Sequence, residues 1–245
     1  MAKYYKTNYK AILGFILASI ILVLIWRTYY GYYILYPFTI LGTWFHEMGH
    51  GIMSILVGGS FTRLEIFNNG SGLAYSSYMD SNFYFNKNIA LGLVSAAGLF
   101  GPPLIGAILI LMSKTYKRSK IILYLLSIVM LISVVVWVRT TVGVVVILFL
   151  GILILYIAIK GNETLQQLVV QFLGVIACID TYKQINYLYT KSFVSNGVEK
   201  LSDTGSMAER IGLTHNFWAT MILILSFSVL LYSLFLRNRI KQTLH

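Results

Sequence analysis

Cysteine is nearly absent from this sequence: Cys178 is the only one in 245 residues. No intrachain disulfide can form, and a cysteine-based zinc site is excluded. Cys178 itself lies in an apolar run, where it reads as an inert small hydrophobe. Charge is also scarce. Asp, Glu, Lys and Arg make up 11% of the chain, against roughly 25% in soluble domains. No stretch is polar enough to be a soluble domain. Acidic residues are the scarcest, 8 against 19 Lys and Arg, so few carboxylates can serve as ligands or bases. The net charge of +11 does not indicate nucleic-acid binding. The basic residues fall in short groups between apolar runs, with no basic stripe interleaved with aromatics. There is no internal repeat or low-complexity tract. The N-terminal pattern, Lys3–Lys10 followed by Ala11–Trp26, imitates a signal peptide, but the following "RTYYGYY" has no small-residue cleavage pattern. An uncleaved first span is expected.

What is abundant is hydrophobicity: 58% of residues are apolar and the mean hydropathy is +0.76. The chain reads as one integral, multi-pass membrane domain over residues 1–245, expected in the cell membrane. A span needs about 20 apolar residues. The candidates are 11–30, 34–58, 89–112, 121–138, 142–159, 165–188 and 216–236. The 18 Tyr and 4 Trp suit interfacial belts, and Tyr4, Tyr5, Tyr29, Tyr30, Tyr32 and Tyr33 flank the first run as such anchors would. Run 89–112 contains Gly101-Pro102-Pro103. Charge counting favours a re-entrant hairpin there, whereas a Pro-kinked span is the simpler physical object; both stay open.

Residues 59–88 differ from the rest. "SFTRLEIF" partly alternates, "NNGSG" supplies an Asn-Gly turn, and "LAYSSY" follows. This predicts a β-hairpin at 61–78, placed at an interface or against protein because lipid does not tolerate open sheet edges. A second polar segment covers 189–214, in which "SMAE" at 206–209 is a candidate capping box opening a short helix. The expected fold is therefore an all-α polytopic membrane protein of about 6–7 transmembrane helices, with a small β-hairpin after its second span.

That second span holds the chemistry, in "LGTWFHEMGHGIMSILVGG", residues 41–59. His46 and His50 are four apart, which on a helix puts both rings on one face, roughly 5–6 Å apart at Cβ. Glu47 is rotated by about 100° from His46 and can approach a metal-bound water without being a ligand. His-Glu-x-x-His thus offers two zinc ligands and a general base. Ionisable groups in a bilayer cost roughly 2.5–3.5 kcal/mol each. Three within five residues are expensive as mere helix glue, and a divalent cation offsets much of that cost.

A catalytic zinc needs a third protein ligand and an open position. His215 sits at the mouth of the last span, and His245 is the last residue. The other carboxylates are Glu65, Asp80, Glu163, Asp180, Glu199, Asp203 and Glu209. Only Asp180 falls inside an apolar run, "FLGVIACIDTYKQI", so by the same cost argument it is the expected third metal ligand, with Asp203 in "LSDTGS" as its rival. A polar channel is expected near Gly42–Thr43, Asp180 and Gln184.

"HEMGH", "GGSFTRLEI" with its Gly-rich turn, "SAAGLFGPPLIGA" and an intramembrane Asp together resemble the site-2 proteases, in patches over roughly residues 36–215. The match is to the short branch lacking an inserted PDZ domain, and "SDTGSMAERIG" also looks like a segment of that branch. In "GPPLIGA" the chain has Ile105 and Gly106 where better-studied members carry an Asn. The resemblance implies an intramembrane zinc metallopeptidase. His46 and His50 with an Asp from a later helix would hold Zn2+, and Glu47 would activate water. The hairpin would flank the site, and transmembrane segments of other membrane proteins would be cut. The competing readings are a non-enzymatic metal-binding membrane protein and a transporter, the latter disfavoured by the absence of a repeated broken-helix pattern.

Overall fold

The computed structural model describes residues 4–7, 9–79, 82–195 and 197–242. The chain begins with β1 (Tyr4–Thr7), α1 (Tyr9–Trp26), the short α2 (Tyr29–Ile34) and α3 (Tyr36–Leu56). A hairpin, β2 (Ser60–Ile66) and β3 (Gly72–Ser77), precedes α4 (Lys87–Met112), α5 (Tyr116–Val136), α6 (Thr141–Lys160), α7 (Glu163–Lys183) and the single turn α8 (Ile185–Leu188). A second hairpin, β4 (Ser192–Ser195) and β5 (Val198–Leu201), leads to α9 (Asp203–Ile211), α10 (His215–Arg237) and β6 (Arg239–Gln242). Among the described residues the strands pair antiparallel, β1 with β6, β2 with β3, and β4 with β5.

Among the described residues, five helices, α4, α5, α6, α7 and α10, are long and apolar enough to cross a membrane. The protein is thus a mostly helical, multi-pass integral membrane protein. Their outward faces carry exposed Ile128, Val135, Phe149 and Ile224, as suits helices solvated by hydrocarbon. α3 has a span's length, but its polar cluster lowers its hydropathy. It is enclosed by the other helices instead, with every residue from Thr39 to Met48 buried.

α4 runs unbroken through Pro102 and Pro103, so the re-entrant hairpin does not occur. Its 26 residues extend about 39 Å, more than a hydrocarbon core of about 30 Å. A proline leaves the carbonyl four residues earlier without its helical donor. The Thr181 hydroxyl, on α7, donates to the carbonyl of Leu99 at 3.3 Å. A neighbouring helix thus supplies what Pro103 cannot.

Small residues let α3, α4 and α7 approach closely. A β-carbon on Gly49 would meet the Ala97 carbonyl at 2.4 Å, and one on Gly106 would meet the Gly174 carbonyl at 2.6 Å. Cys178 is fully buried at this second crossing, its thiol 3.6 Å from the Pro103 carbonyl. Trp44 pins α3 to α5 by donating from Nε1 to Ser133 Oγ at 2.9 Å.

The hairpin stands at the expected place, its turn closing at Gly70 with φ +83°, a conformation glycine adopts without steric cost. Its two outer edges differ. Leu64 faces Ala74 across the ladder, and Leu64 turns its own N–H and C=O outward. They bond Trp137 O at 2.8 Å and Arg139 N at 3.0 Å in the α5–α6 connection. That edge is closed. The edge of β3 faces α3.

Candidate metal centre

α3 presents His46 and His50 on one face, as their spacing requires. The two Nε2 atoms are 3.0 Å apart. His50 Nδ1 lies 2.8 Å from the Val94 carbonyl on α4, which can only accept. The hydrogen is therefore on Nδ1, which leaves Nε2, turned toward His46, as the atom available to a metal. Gly98, one turn further along α4, gives the His50 ring its space.

The carboxylate that completes the group is Asp203. Its Oδ2 is 3.2 Å from His46 Nε2 and its Oδ1 is 3.4 Å from His50 Nε2. Among the described residues, His46, His50 and Asp203 form a group able to hold a metal ion, their donor atoms all within 4.8 Å of one another. Burial opposes charge on Asp203, but the facing imidazoles of His50 and His46 outweigh it and hold the carboxyl well below the ordinary range. Tyr187 orients the carboxylate. Its hydroxyl donates to Oδ2 at 3.1 Å and accepts from the Asp203 backbone N–H at 3.3 Å.

The local sequence explains how Asp203 arrives there. Ser202 caps α9 by accepting from Gly205 N at 3.0 Å, and Thr204 Oγ1 donates to the Leu188 carbonyl at 2.8 Å. Gly205 has no side chain to collide with the Lys191 carbonyl, which a β-carbon would meet at 2.1 Å. The N-terminus of α9 is thereby docked on the segment following α8, and Asp203, its first residue, is delivered to the histidines. The capping residue is Ser202, not Ser206. Ser206 lies in the second turn, because the hydroxyl that meets the free amides is four residues earlier.

Asp180, the expected third ligand, is engaged elsewhere. Its Oδ1 pairs with Lys183 Nζ at 3.0 Å, and its Oδ2 accepts from Gln184 Nε2 at 2.6 Å. The carboxylate abuts Gly42, where a β-carbon would stand 2.3 Å from Oδ1. Lys183 in turn lies over the Trp26 ring, 4.5 Å from its centroid. The cost of burying Asp180 is thus offset by a cation three residues away rather than by a metal. His215 opens α10 and is not in the group, and Asp80 and His245 lie outside the described residues.

Glu47 is buried, 6% exposed, and the Ala74 N–H of β3 is directed at its carboxylate. A β-carbon on Gly72 would stand 2.8 Å from Glu47 Oε1, so the hairpin closes over this acid. These groups line a cavity of about 1050 Å³. One wall is β3, from Gly72 to Ser76; the other includes Phe193, Val194, Lys200 and Leu201 of the second hairpin. Thr43, Lys183 and Gln184 line it as well, which matches the polar channel expected from the sequence, although Asp180 itself lies behind them. Sequence reasoning missed Tyr187 and Gly98. The small-residue run "SAAG" before the prolines was the available signal for Gly98. Nothing local marks Tyr187.

A family model described as peptidase M50B-like matches residues 15–233. No curated protein and no solved structure matches the chain.

Proposed function

The chain belongs to the peptidase M50B-like family, and from that membership we propose that it is an intramembrane zinc metallopeptidase of the site-2 protease type, hydrolysing peptide bonds in or near transmembrane segments of other membrane proteins in the cell membrane. The observation that carries the reading is the convergence of two imidazoles and one carboxylate beside a buried glutamate, on the wall of a cavity that also exposes a strand edge.

The donor set fits the metal. Two nitrogens and one carboxylate oxygen are the ligands of a catalytic zinc that keeps a position open. The three groups face one another at 3.0–3.4 Å, an arrangement that repels itself unless a proton or cation lies between. His46, His50 and Asp203 would hold the ion. When bound, zinc supplies Lewis acidity, lowering the pKa of water and polarising the scissile carbonyl.

The remaining work belongs to the protein. Glu47 takes a proton from the attacking water and passes it to the departing amine. Water adds across the C–N bond, leaving a carboxylate and an amine. A helical substrate hides its carbonyls in its own hydrogen bonds and must unwind to be cut. The outer edge of β3, where the Ala74 C=O is free of the ladder and the N–H meets Glu47, offers the unwound segment a strand to pair with.

The test is Glu47→Gln in proteoliposomes with a helix-destabilised single-span reporter. Turnover should fall at least about a hundredfold with metal content unchanged. A Gln variant that still cuts at the wild-type rate would remove Glu47 as the base. A wild-type chain that binds metal but cuts no reporter would favour the non-enzymatic reading.

A further inference from the structure

Asp180, Lys183 and Gln184 form a polar cluster that the proposed chemistry leaves unused. Asp180 is 3% exposed, with Lys183 on one oxygen and Gln184 on the other. The Lys183 ammonium is enclosed, with no hydrogen-bond acceptor in good geometry among the described residues besides this ion pair, and Trp26 covers it. Burying such a pair beside a cavity is costly relative to apolar packing, so what it holds in place is informative. The reachable member is Gln184. One N–H of its amide goes to Asp180, which fixes the orientation of the group because a carboxylate can only accept. The second N–H and the carbonyl Oε1 have no protein partner among the described residues, and Gln184 lines the cavity.

Its position along the cleft is bounded on both sides. Asp180 abuts Gly42, one helical turn before His46, and Tyr187 touches Asp203 beside His46 and His50. Gln184 lies between these two levels. A turn of four residues rises about 6 Å, the length of about two residues of extended strand. β3 ascends in the same direction as α3: Gly70 meets Thr39, Gly72 meets Thr43 and Glu47, and Ser76 bonds Ser54. A segment paired with the β3 edge therefore runs past both the histidines and Gln184.

We infer that Gln184 is a substrate-binding residue: its side-chain amide, aimed by Asp180, pairs with a main-chain peptide group of the unwound substrate within about two residues of the bond to be cut. The ligand is a neutral peptide group and not a carboxylate, since Asp180 already neutralises Lys183 and a second anion would be left without a counter-charge. A free amide N–H and carbonyl together match the donor and acceptor of a peptide, whatever its side chain, so this contact sets register and not sequence preference.

The inference rests on the peptidase reading, and the experiment separates the two. A labelled single-span peptide with a destabilised centre is made in versions carrying one backbone ester at successive positions. Binding is measured by fluorescence anisotropy to the full-length Glu47→Gln chain in detergent, and cleavage is measured with the wild type. One or two neighbouring ester positions should weaken binding about tenfold. Gln184→Met should lose about as much on the all-amide peptide, keep its metal, and show no further loss with those esters. If Gln184→Met misfolds, the paired Asp180→Asn, Lys183→Met variant decides: with the amide no longer aimed, the ester effect should spread over more positions. An ester profile that is flat, or unchanged in the variants, overturns the inference, as does a peptide that does not bind. Binding with the expected profile but no cleavage would overturn the peptidase reading alone.

Discussion

A β-carbon on Gly98 would stand 2.2 Å from both Cε1 and Nε2 of the His50 imidazole. The ring cannot swing aside freely, because its Nδ1 is held by the Val94 carbonyl on the same helix. Gly98→Ala should therefore displace one metal donor while leaving the bundle folded. Metal affinity is expected to drop 10- to 100-fold, as for other disturbed ligand supports. Metal titration of the purified chain, with circular dichroism to verify the fold, gives the answer. Unchanged affinity would mean that the ring has slack that this packing does not allow.

The two aspartates should separate cleanly. Asp203→Ala is expected to lose bound zinc, read by elemental analysis of detergent-purified protein. Asp180→Ala should keep it and lose stability instead, because it strands the buried Lys183 ammonium. Breaking a buried pair from one side costs on the order of 3 kcal/mol, measurable by denaturant titration in micelles. Asp180→Asn combined with Lys183→Met should recover most of that loss. Zinc lost from Asp180→Ala and retained in Asp203→Ala would invert the ligand assignment.

Ala74 carries the open edge of β3. It faces Leu64 across the hairpin without exchanging ladder hydrogen bonds, since both residues turn their backbone groups outward. Ala74→Pro should thus spare the hairpin and remove one outward donor, the N–H directed at Glu47. Cleavage of a transmembrane reporter should fall by about tenfold, the worth of a hydrogen bond to a charged or developing acceptor. Zinc content should stay at the wild-type level. Undiminished cleavage would argue against a role for this N–H, whether toward Glu47 or toward a paired substrate.

The features legible in the sequence were local. His46, Glu47 and His50 declare themselves by spacing, and the Asn-Gly turn between alternating segments locates the hairpin. The apolar runs locate the long helices. What failed was long-range. Asp180 was favoured because an acid in an apolar run needs a partner, and that premise is correct; the partner is Lys183, on the next turn of the same helix. Asp203 looked like an ordinary turn residue because its surroundings are polar. Its burial arises only when α9 folds back onto the segment after α8, and no local pattern reports such docking. The second hairpin escaped for the same reason: "SFVS" and "VEKL" are too short to signal strands, and they pair across a tight turn at Gly197.

The docking of α9 also governs timing. The histidines emerge from the ribosome early, whereas Asp203 follows only after α7 and the second hairpin have been made. Until then the half-built centre holds two imidazoles and no carboxylate. If the centre is the proposed peptidase site, a growing chain therefore stays inert until that point. On the proposed reading, its capacity to cut begins only once α9 has docked.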